Sequence, residues 1–283
     1  MELFAAAVLG VIQGLTEFLP VSSSAHLILV PWLLGWRPEG IAFDVSLHVG
    51  TAVAILAYFW KDWLELARES VTGILSGSPL GNRKRMLMWF IAAGTLPAVI
   101  VGLLFEQEIE ETLRSPLVTV VTLTVFGMFL YLCERRSRLA RSLDQFSWGD
   151  ALWIGLSQAL ALIPGVSRSG ITMSTALLRN ADRASAARFS FLLATPVIVG
   201  AGVLETWRLL EIVRTPAALS AGIPAQDNIS WAVLAIGILF AAVTGFFCIR
   251  FFLRYLQTRT FVPFVVYRFV LAAVVLAFYL RDH

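Results

Sequence analysis

The sequence predicts an all-α polytopic membrane protein with two inverted-topology repeats, each a re-entrant helical hairpin followed by three transmembrane helices. Three observations support this fold class. Hydrophobic residues make up 58% of the 283 positions and charged residues 14%, with a mean hydropathy of +0.78, whereas soluble domains carry roughly 25% charged residues. Six apolar runs approach the length of a membrane-spanning helix. Two further apolar regions are interrupted by polar turns and resemble each other.

The six apolar runs predict six transmembrane helices, because a bilayer core of about 30 Å requires about 20 apolar residues in a helix. One basic residue, Arg268, interrupts the last run, and we expect it to be a structural partner of a carboxylate or backbone carbonyl rather than a catalytic group. The runs cover residues 45–60, 86–105, 115–133, 189–204, 229–249 and 260–280.

The two broken regions predict re-entrant hairpins. Residues 3–34 are interrupted around Pro20, and residues 151–178 are interrupted at Pro164-Gly165. Each half is too short to cross the bilayer, and irregular backbone at membrane depth is tolerated only where it lines a protein cavity. We therefore expect the interruptions to line a cavity.

The two hairpins are predicted to be copies of one repeat. Residues 10–25 match residues 155–170 at a constant offset of 145, and the matched polar residues argue against chance similarity. Three predicted spans follow each copy, and this odd number inverts one repeat relative to the other. The chain is thus predicted to form a single integral membrane domain over residues 1–283, with repeats at about 1–140 and 146–283.

Basic residues are divided unequally between the two predicted membrane faces. Fifteen of the 22 lysines and arginines fall in the segments 61–85, 135–141, 179–188 and 250–259. The other face receives Arg37, Arg114, Arg208, Arg214 and Arg281. The positive-inside rule places this poorer face, with both termini, outside the cytoplasm. The asymmetry also explains the isoelectric point of about 9.1 without a nucleic-acid partner.

Polar side chains are concentrated in the two hairpins, where they are costly and therefore functional candidates. If the two turns meet, Glu17 and Arg168 neutralise each other. A purely structural ion pair is the alternative, but it would not explain the surrounding serines. The candidates are Gln13, Glu17, Ser22, Ser23, Ser24 and His26 in the first hairpin and Ser167, Arg168, Ser169 and Thr172 in the second.

These residue types are typical of a phosphate site. Each turn begins a half-helix whose N–H groups and positive end favour an anion, and Arg168 offers paired donors to a phosphate. Gln13 and Glu17, four residues apart, could together hold a hard cation that takes its other ligands from water and a phosphate. Asp44 and His48 form either an outer wall of this pocket or a helix cap and an interfacial histidine.

A phosphatase and a transporter both fit this description. Hydrolysis needs a nucleophile or an activated water, which Glu17, Ser23 or His26 would supply. Attack by the serine and attack by a metal-bound water remain open. The rivals to hydrolysis are a carrier that flips a phosphorylated lipid, since broken helices in inverted repeats are a common transporter design, and a structural anion-binding membrane protein without turnover.

The two polar turns resemble the signatures of a known family. Residues 13–26, which read Gln-Gly-Leu-Thr-Glu-Phe-Leu-Pro-Val-Ser-Ser-Ser-Ala-His, resemble the first signature of the bacterial undecaprenyl pyrophosphate phosphatases, also called the bacitracin resistance protein family. Residues 164–172, which read Pro-Gly-Val-Ser-Arg-Ser-Gly-Ile-Thr, resemble the second. Residues 43–51 and 189–192 extend the resemblance over nearly the whole chain.

This resemblance implies an enzyme of the bacterial cytoplasmic (inner) membrane with a site facing the periplasm. It would remove the terminal phosphate from undecaprenyl pyrophosphate, recycle the lipid carrier of peptidoglycan synthesis and confer bacitracin resistance. Its partners would be the polyprenyl pyrophosphate substrate and membrane lipids, with no nucleic acid, and the sequence makes no prediction about oligomeric state.

The resemblance also implies roles for individual residues. Ser23 would be the nucleophile, Glu17 an essential carboxylate, His26 a catalytic helper and Arg168 a phosphate ligand. A divalent cation, Mg²⁺ or Ca²⁺, would be held by Glu17 and Gln13, although many members have Glu where this chain has Gln13. Substrate-binding candidates are Gln13, Ser22, Ser24, Ser167, Ser169, Thr172, Asp44 and His48.

Overall fold

The all-α prediction is confirmed. A computed structural model describes residues 2–36, 41–113, 115–214 and 230–282, and within these ranges it contains ten α-helices and no β-strand beyond one isolated bridge. The helices are α1 (Glu2–Thr16), α2 (Ser23–Leu34), α3 (Ile41–Leu75), α4 (Arg83–Leu113), α5 (Pro116–Arg136), α6 (Trp148–Ala159), α7 (Arg168–Leu178), α8 (Arg183–Arg214), α9 (Trp231–Tyr255) and α10 (Val262–Asp282).

Among the described residues, six helices are long and apolar enough to cross a membrane, namely α3, α4, α5, α8, α9 and α10. The predicted number of spans is confirmed, but the helices are longer than the apolar runs. For example, α3 continues past Lys61 to Leu75 after a local departure from helical geometry at Phe59 (φ −96°, ψ 16°). The backbone can stay helical where charged side chains begin, since a change in polarity does not by itself end a helix.

The two interrupted regions form pairs of short helices, α1 with α2 and α6 with α7. These helices contain 11 to 15 residues, which corresponds to about 17–23 Å at 1.5 Å per residue and is less than the bilayer core. A pair of short helices followed by three long ones therefore occurs twice along the chain, as the sequence predicts.

Each short hairpin packs against a long helix from the other half of the chain. Helix α1 contacts α9, and α6 contacts α4. Both contacts depend on small residues: a Cβ on Gly155 would lie 2.5 Å from the Cα of Gly94, and one on Gly14 would lie 2.7 Å from the carbonyl oxygen of Ala241. Small residues let helix backbones approach closely within a membrane. The two halves are thus interlocked.

Ion pairs connect basic segments to neighbouring helices at one end of the molecule. The carboxylate of Asp150 accepts hydrogen bonds from Arg141 (2.7 Å) and Arg179 (2.7 Å), and Arg183 bonds to Glu134 (2.5 Å). Burial would raise the pKa of Asp150, but its arginine and Ser147 hydrogen bonds hold that pKa well below its usual range. This end holds the carboxyl ends of α5 and α7 and the amino ends of α6 and α8. On the poorer face, Arg37, Arg114 and the side chains of Arg208 and Arg214 lie outside the described residues.

Candidate active site

The two polar turns share one backbone geometry. Ser22 and Ser167, 145 positions apart, both have a positive φ, 74° and 72° respectively. The hydroxyl oxygen of each accepts a hydrogen bond from the backbone N–H three residues later, at Ala25 or Gly170, and so caps the following short helix. A residue other than glycine in such a conformation costs about 1–3 kcal/mol and occurs mainly at functional sites. The sequence repeat is therefore also a repeat of local structure.

The structure brings the two turns into direct contact. The Ser169 hydroxyl donates to the carbonyl of Leu19 (2.9 Å), and the Gly165 N–H lies 3.5 Å from the Ser24 hydroxyl oxygen. Gly165 itself has φ 88°, and a Cβ there would lie 2.0 Å from the Thr122 hydroxyl oxygen on α5. Only glycine fits this close approach of the second turn to α5.

Arg268 on α10 ties the two turns to α5. Its side chain is fully buried, and its guanidinium makes five hydrogen bonds of 2.9–3.2 Å, all to backbone carbonyls. One acceptor is in the first turn, two are in the second and two are in α5: Pro20, Gly165, Val166, Thr122 and Leu123. The sequence predicted either a carboxylate or a backbone carbonyl as the partner of Arg268, and the structure shows backbone carbonyls.

Glu17 lies at the centre of the joined turns and is 8% exposed. One carboxylate oxygen pairs with Arg168. The other accepts hydrogen bonds from the Ser23 hydroxyl (2.6 Å) and the Gln13 amide (3.1 Å). Ser23 and Arg168 are the first residues of α2 and α7, and they are 145 positions apart. Equivalent positions of the repeat therefore place a hydroxyl and a guanidinium on one carboxylate.

A cavity of about 200 Å³ opens beside this carboxylate. One water molecule needs roughly 10–15 Å³ on the same measure, so the cavity has room for a larger polar group. Its polar wall is formed by Thr16, Glu17, Ser22, Ser23, Ser24, His48, Gln158, Ser167 and Arg168. Its apolar wall is formed by Ala98, Ala161, Leu162, Val197, Ile198 and Ala201. The lining therefore contains polar groups suited to a charged ligand and apolar groups suited to a hydrocarbon.

Several predicted site residues lie around this cavity rather than in its lining. Gln13 is buried behind Glu17. Ser169 bonds to the first turn, and the Thr172 hydroxyl lies 2.6 Å from that of Ser190. Asp44 contributes its backbone carbonyl, which accepts a hydrogen bond from the ring of His48. These residues contact the groups around the cavity and do not line it themselves.

His26 is not among the residues that line the cavity, and both of its ring nitrogens have partners. Its Nδ1 lies 2.7 Å from the Ser22 carbonyl oxygen, and its Nε2 lies 2.6 Å from the Tyr267 hydroxyl. Because a carbonyl oxygen only accepts, Nδ1 carries the proton, and Nε2 of the neutral ring then accepts from Tyr267. Both ring nitrogens of His26 are therefore engaged by groups other than Ser23 and Glu17.

His48 is oriented differently and lines the cavity. Its Nδ1 lies 2.8 Å from the carbonyl oxygen of Asp44, which again makes Nδ1 the donor. The Nε2 of the neutral ring is then an acceptor. The sequence left two interpretations open for His48, an outer wall of the pocket and an interfacial histidine. The position of His48 in the lining agrees with the first.

A family model matches nearly the whole chain. The family model described as Bacitracin resistance protein BacA matches residues 6–274, which includes both turns, the first five long helices and α10 as far as Val274. The chain belongs to the bacitracin resistance protein family.

Curated relatives match the chain over nearly its full length. One is named undecaprenyl-diphosphatase, from Desulforudis audaxviator, and is 46% identical over 276 residues, covering 98% of this chain and 97% of the relative. Another of that name, from Moorella thermoacetica, is 44% identical over 282 residues, covering 99% and 100%. A protein named undecaprenyl-diphosphatase 2, from Stutzerimonas stutzeri, is 43% identical over 282 residues, covering 99% of each chain.

The oxygen atoms around Glu17 fit a cation of the kind that the family resemblance implies. The Gln13 amide oxygen is buried and has no hydrogen-bond partner in the described parts of the chain. No group of three or more His, Cys, Asp or Glu side chains able to hold a metal occurs among the described residues. The cation that the resemblance implies would have the Glu17 carboxylate and the Gln13 amide oxygen as protein ligands, and would take its remaining ligands from water and substrate phosphate.

The structure adds functional candidates that the sequence reasoning missed. Gln158 lines the cavity, and Tyr267 is the partner of His26. A signal for Gln158 was present, because it matches Gln13 at the offset of 145. The apolar wall had no such signal, since its members come from α4, α8 and the turn after α6 and resemble any lipid-facing residue in the sequence.

Proposed function

We propose that the protein hydrolyses the phosphoanhydride bond of undecaprenyl pyrophosphate, yielding the polyprenyl phosphate and inorganic phosphate. It would thereby recycle the lipid carrier of peptidoglycan synthesis and confer bacitracin resistance. The observation that carries this proposal is the Ser23 hydroxyl, 2.6 Å from a Glu17 oxygen whose partner oxygen pairs with Arg168. The names of the full-length relatives support the same activity.

The proposed reaction begins when the terminal phosphate enters the polar side of the cavity. Arg168 exchanges its bond to Glu17 for two bonds to phosphate oxygens, since a guanidinium matches a phosphate with paired donors. Glu17, relieved of that partner, accepts the Ser23 proton as general base. The Ser23 oxygen attacks the terminal phosphorus, and the bond to the bridging oxygen breaks, releasing polyprenyl phosphate.

A second displacement completes the cycle. Water attacks the phosphoserine, Glu17 transfers the proton that it holds to the leaving Ser23 oxygen, and inorganic phosphate departs. Such reactions depend mainly on in-line positioning and charge stabilisation. Arg168 and the amino ends of α2 and α7 supply both in a site shielded from solvent. Direct attack by water with Glu17 as base is the second route, and the amide and carboxylate oxygens of Gln13 and Glu17 favour it if they bind a cation.

We assign the cation to Gln13 and Glu17, as Mg²⁺ or Ca²⁺. A bound divalent ion would supply positive charge beside the phosphate oxygens. Removing divalent ions with a chelator should stop phosphate release, and adding Mg²⁺ or Ca²⁺ back should restore it. Full activity in the chelated protein would contradict this assignment.

The apolar wall supports a lipid substrate whose chain stays in the bilayer. Ala98 lies on α4, and Val197, Ile198 and Ala201 lie on α8. Both helices are long enough to span a membrane, so a hydrocarbon chain leaving the cavity along them would enter the lipid. A free pyrophosphate would leave this wall uncovered.

We further propose that the site faces the periplasm of the inner membrane and that the two halves are inverted. The ion pairs at the basic end support this, because α5 ends there whereas α6 and α8 begin there. Single cysteines introduced at Glu108 and Arg138 should react with an impermeant reagent from opposite sides of the membrane. The native Cys133 and Cys248 are buried, so they should contribute little background labelling. Reaction of both from one side would refute the topology.

Phosphate release by the purified protein in detergent tests the enzymatic proposal. A lipid carrier or a structural anion-binding protein would release no phosphate from a prenyl pyrophosphate. Turnover that requires Glu17 and Arg168 would exclude both rivals, whereas binding without release would favour them.

A further inference from the structure

Gln158 is a buried amide without a partner. Its side chain is 1% exposed, and neither its amide nitrogen nor its amide oxygen has a hydrogen-bond partner among the described residues. The side chain nevertheless lines the cavity beside Glu17 and Arg168. Buried polar groups in folded proteins are nearly always hydrogen-bonded, and an unpaired one calls for a specific explanation.

The place of Gln158 along the cavity follows from the packing of α6 on α4. The two helices run in the same direction: the rings of Phe90 and Trp148 are 5.0 Å apart, and further along each helix Gly94 faces Gly155. Gln158 is one turn beyond Gly155, and it lines the cavity together with Ala161 and Leu162, which follow it in the chain. Gln158 is thus a polar member of the lining directly beside apolar ones.

The repeat explains why this amide is unpaired. Its equivalent, Gln13, donates to the carboxylate of Glu17 one turn later (3.1 Å). The residue equivalent to Glu17 in the second half is Leu162, whose side chain has no hydrogen-bond acceptor. Gln158 therefore keeps the amide of the first hairpin without the carboxylate that engages it, and its N–H groups have no acceptor among the described residues.

We propose that Gln158 binds the proximal phosphate of the substrate, the one that remains on the prenyl chain. This inference rests on the proposed function. The terminal phosphate belongs beside Ser23 and Arg168, and the prenyl chain belongs along the apolar wall. The proximal phosphate joins these two parts, and the boundary between the walls is where it must lie.

The amide would also act on the leaving group. As the anhydride bond breaks, the bridging oxygen stays with the proximal phosphate, which gains negative charge. A hydrogen bond from Gln158 to this phosphate strengthens at that point, and an interaction that is stronger in the transition state raises kcat. Because the amide is neutral, it stabilises this charge without holding the product as tightly as a second arginine would.

The test is the Gln158→Met variant, which keeps the length of the side chain and removes its donors. Binding of farnesyl phosphate and of inorganic phosphate is measured separately on the purified protein in detergent. We expect the affinity for farnesyl phosphate to fall about tenfold or more, the range for a hydrogen bond to a charged group. The affinity for inorganic phosphate should change less than about twofold, and kcat for farnesyl pyrophosphate should fall. The matched control is Gln257→Met, at an exposed glutamine after α9, which should change neither affinity.

Unchanged binding of farnesyl phosphate, or an equal loss for both ligands, would overturn the assignment of Gln158. So would a wild-type protein that binds phosphate but not farnesyl phosphate. If the methionine variant does not fold, Gln158→Leu replaces it, and the thermal midpoint of each variant is measured alongside. Failure of the wild-type protein to release phosphate would instead refute the proposed function, so the two failures are distinguishable.

Discussion

The two hairpin turns have the same backbone but different chemistry. Both begin a short helix after a serine with φ near 70°, capped by that serine's own hydroxyl. The first turn carries Glu17 and Ser23, whereas the equivalent positions of the second carry Leu162 and Arg168. In the proposed mechanism, Glu17 and Ser23 of the first turn transfer the proton and form the bond to phosphorus, and Arg168 of the second turn holds negative charge. We therefore call the first the reactive turn and the second the electrostatic turn.

The candidate site is assembled from both halves of the chain. The carboxylate of the first turn receives its cationic partner from the second, and the apolar wall comes from α4 in one half and α8 in the other. Arg268 holds both turns in place by bonding to carbonyls of each. Precision at the site therefore depends on contacts between the halves.

Removing the proposed nucleophile, Ser23, from the reactive turn should have the largest effect. Ser23→Ala deletes one oxygen, so we expect turnover to be abolished while folding and substrate binding are retained. Phosphate release in detergent measures the first, and binding of a prenyl pyrophosphate measures the second. Near-normal release by Ser23→Ala, combined with none by Glu17→Ala, would replace the serine route with direct attack by water.

Weakening the electrostatic turn should have the next largest effect. Arg168→Lys keeps the charge but loses the paired donors that match a phosphate. We expect kcat to fall about 10²-fold, the range for the loss of one preorganised donor. Steady-state kinetics of the purified variant check this, with Arg138→Lys at an exposed site as control. A kcat within twofold of wild type would show that charge alone is sufficient.

Replacing Arg268, which hydrogen-bonds to both turns, should reduce both the stability of the protein and its rate. Arg268→Lys has fewer donors than the five carbonyl bonds require, and each buried carbonyl left unpaired costs about 1–3 kcal/mol. We expect a lower thermal midpoint in detergent and a drop in kcat, with the affinity for inorganic phosphate falling as well. A stable variant with an unchanged rate would mean that the turns hold their positions without this residue.

Replacing His26, which hydrogen-bonds to the backbone of the reactive turn, should have the smallest effect. His26 donates from Nδ1 to the carbonyl of Ser22, and an asparagine amide can reproduce that bond because its nitrogen stands at the same distance from the backbone. We expect His26→Asn to retain most of the rate and His26→Gln to lose about tenfold. Equal losses, or a changed pH–rate profile in both variants, would point to direct participation of His26 in proton transfer.

Much of the fold was readable from composition and periodicity. Six apolar runs predicted six long helices, and two interrupted runs predicted two short pairs, because the bilayer sets the length that an apolar helix must reach. The joining of Glu17 to Arg168 also followed from the sequence, since two opposite charges at membrane depth are expected to pair. The true helix ends were not predicted, because α3 continues to Leu75 on charged and apolar residues alike.

The sequence alone determined which residue types are present and that they repeat, because the offset of 145 and the cost of polar groups in lipid are properties of the chain itself. The tertiary structure decided which of them share a cavity. His26 turned toward Tyr267, whereas His48 and Gln158 turned into the cavity beside Glu17. These choices depend on contacts between elements far apart in the chain, such as that between α2 and α10 at His26 and Tyr267 and the packing of α6 on α4 beside Gln158. Spacing along one helix contains no information about its neighbour.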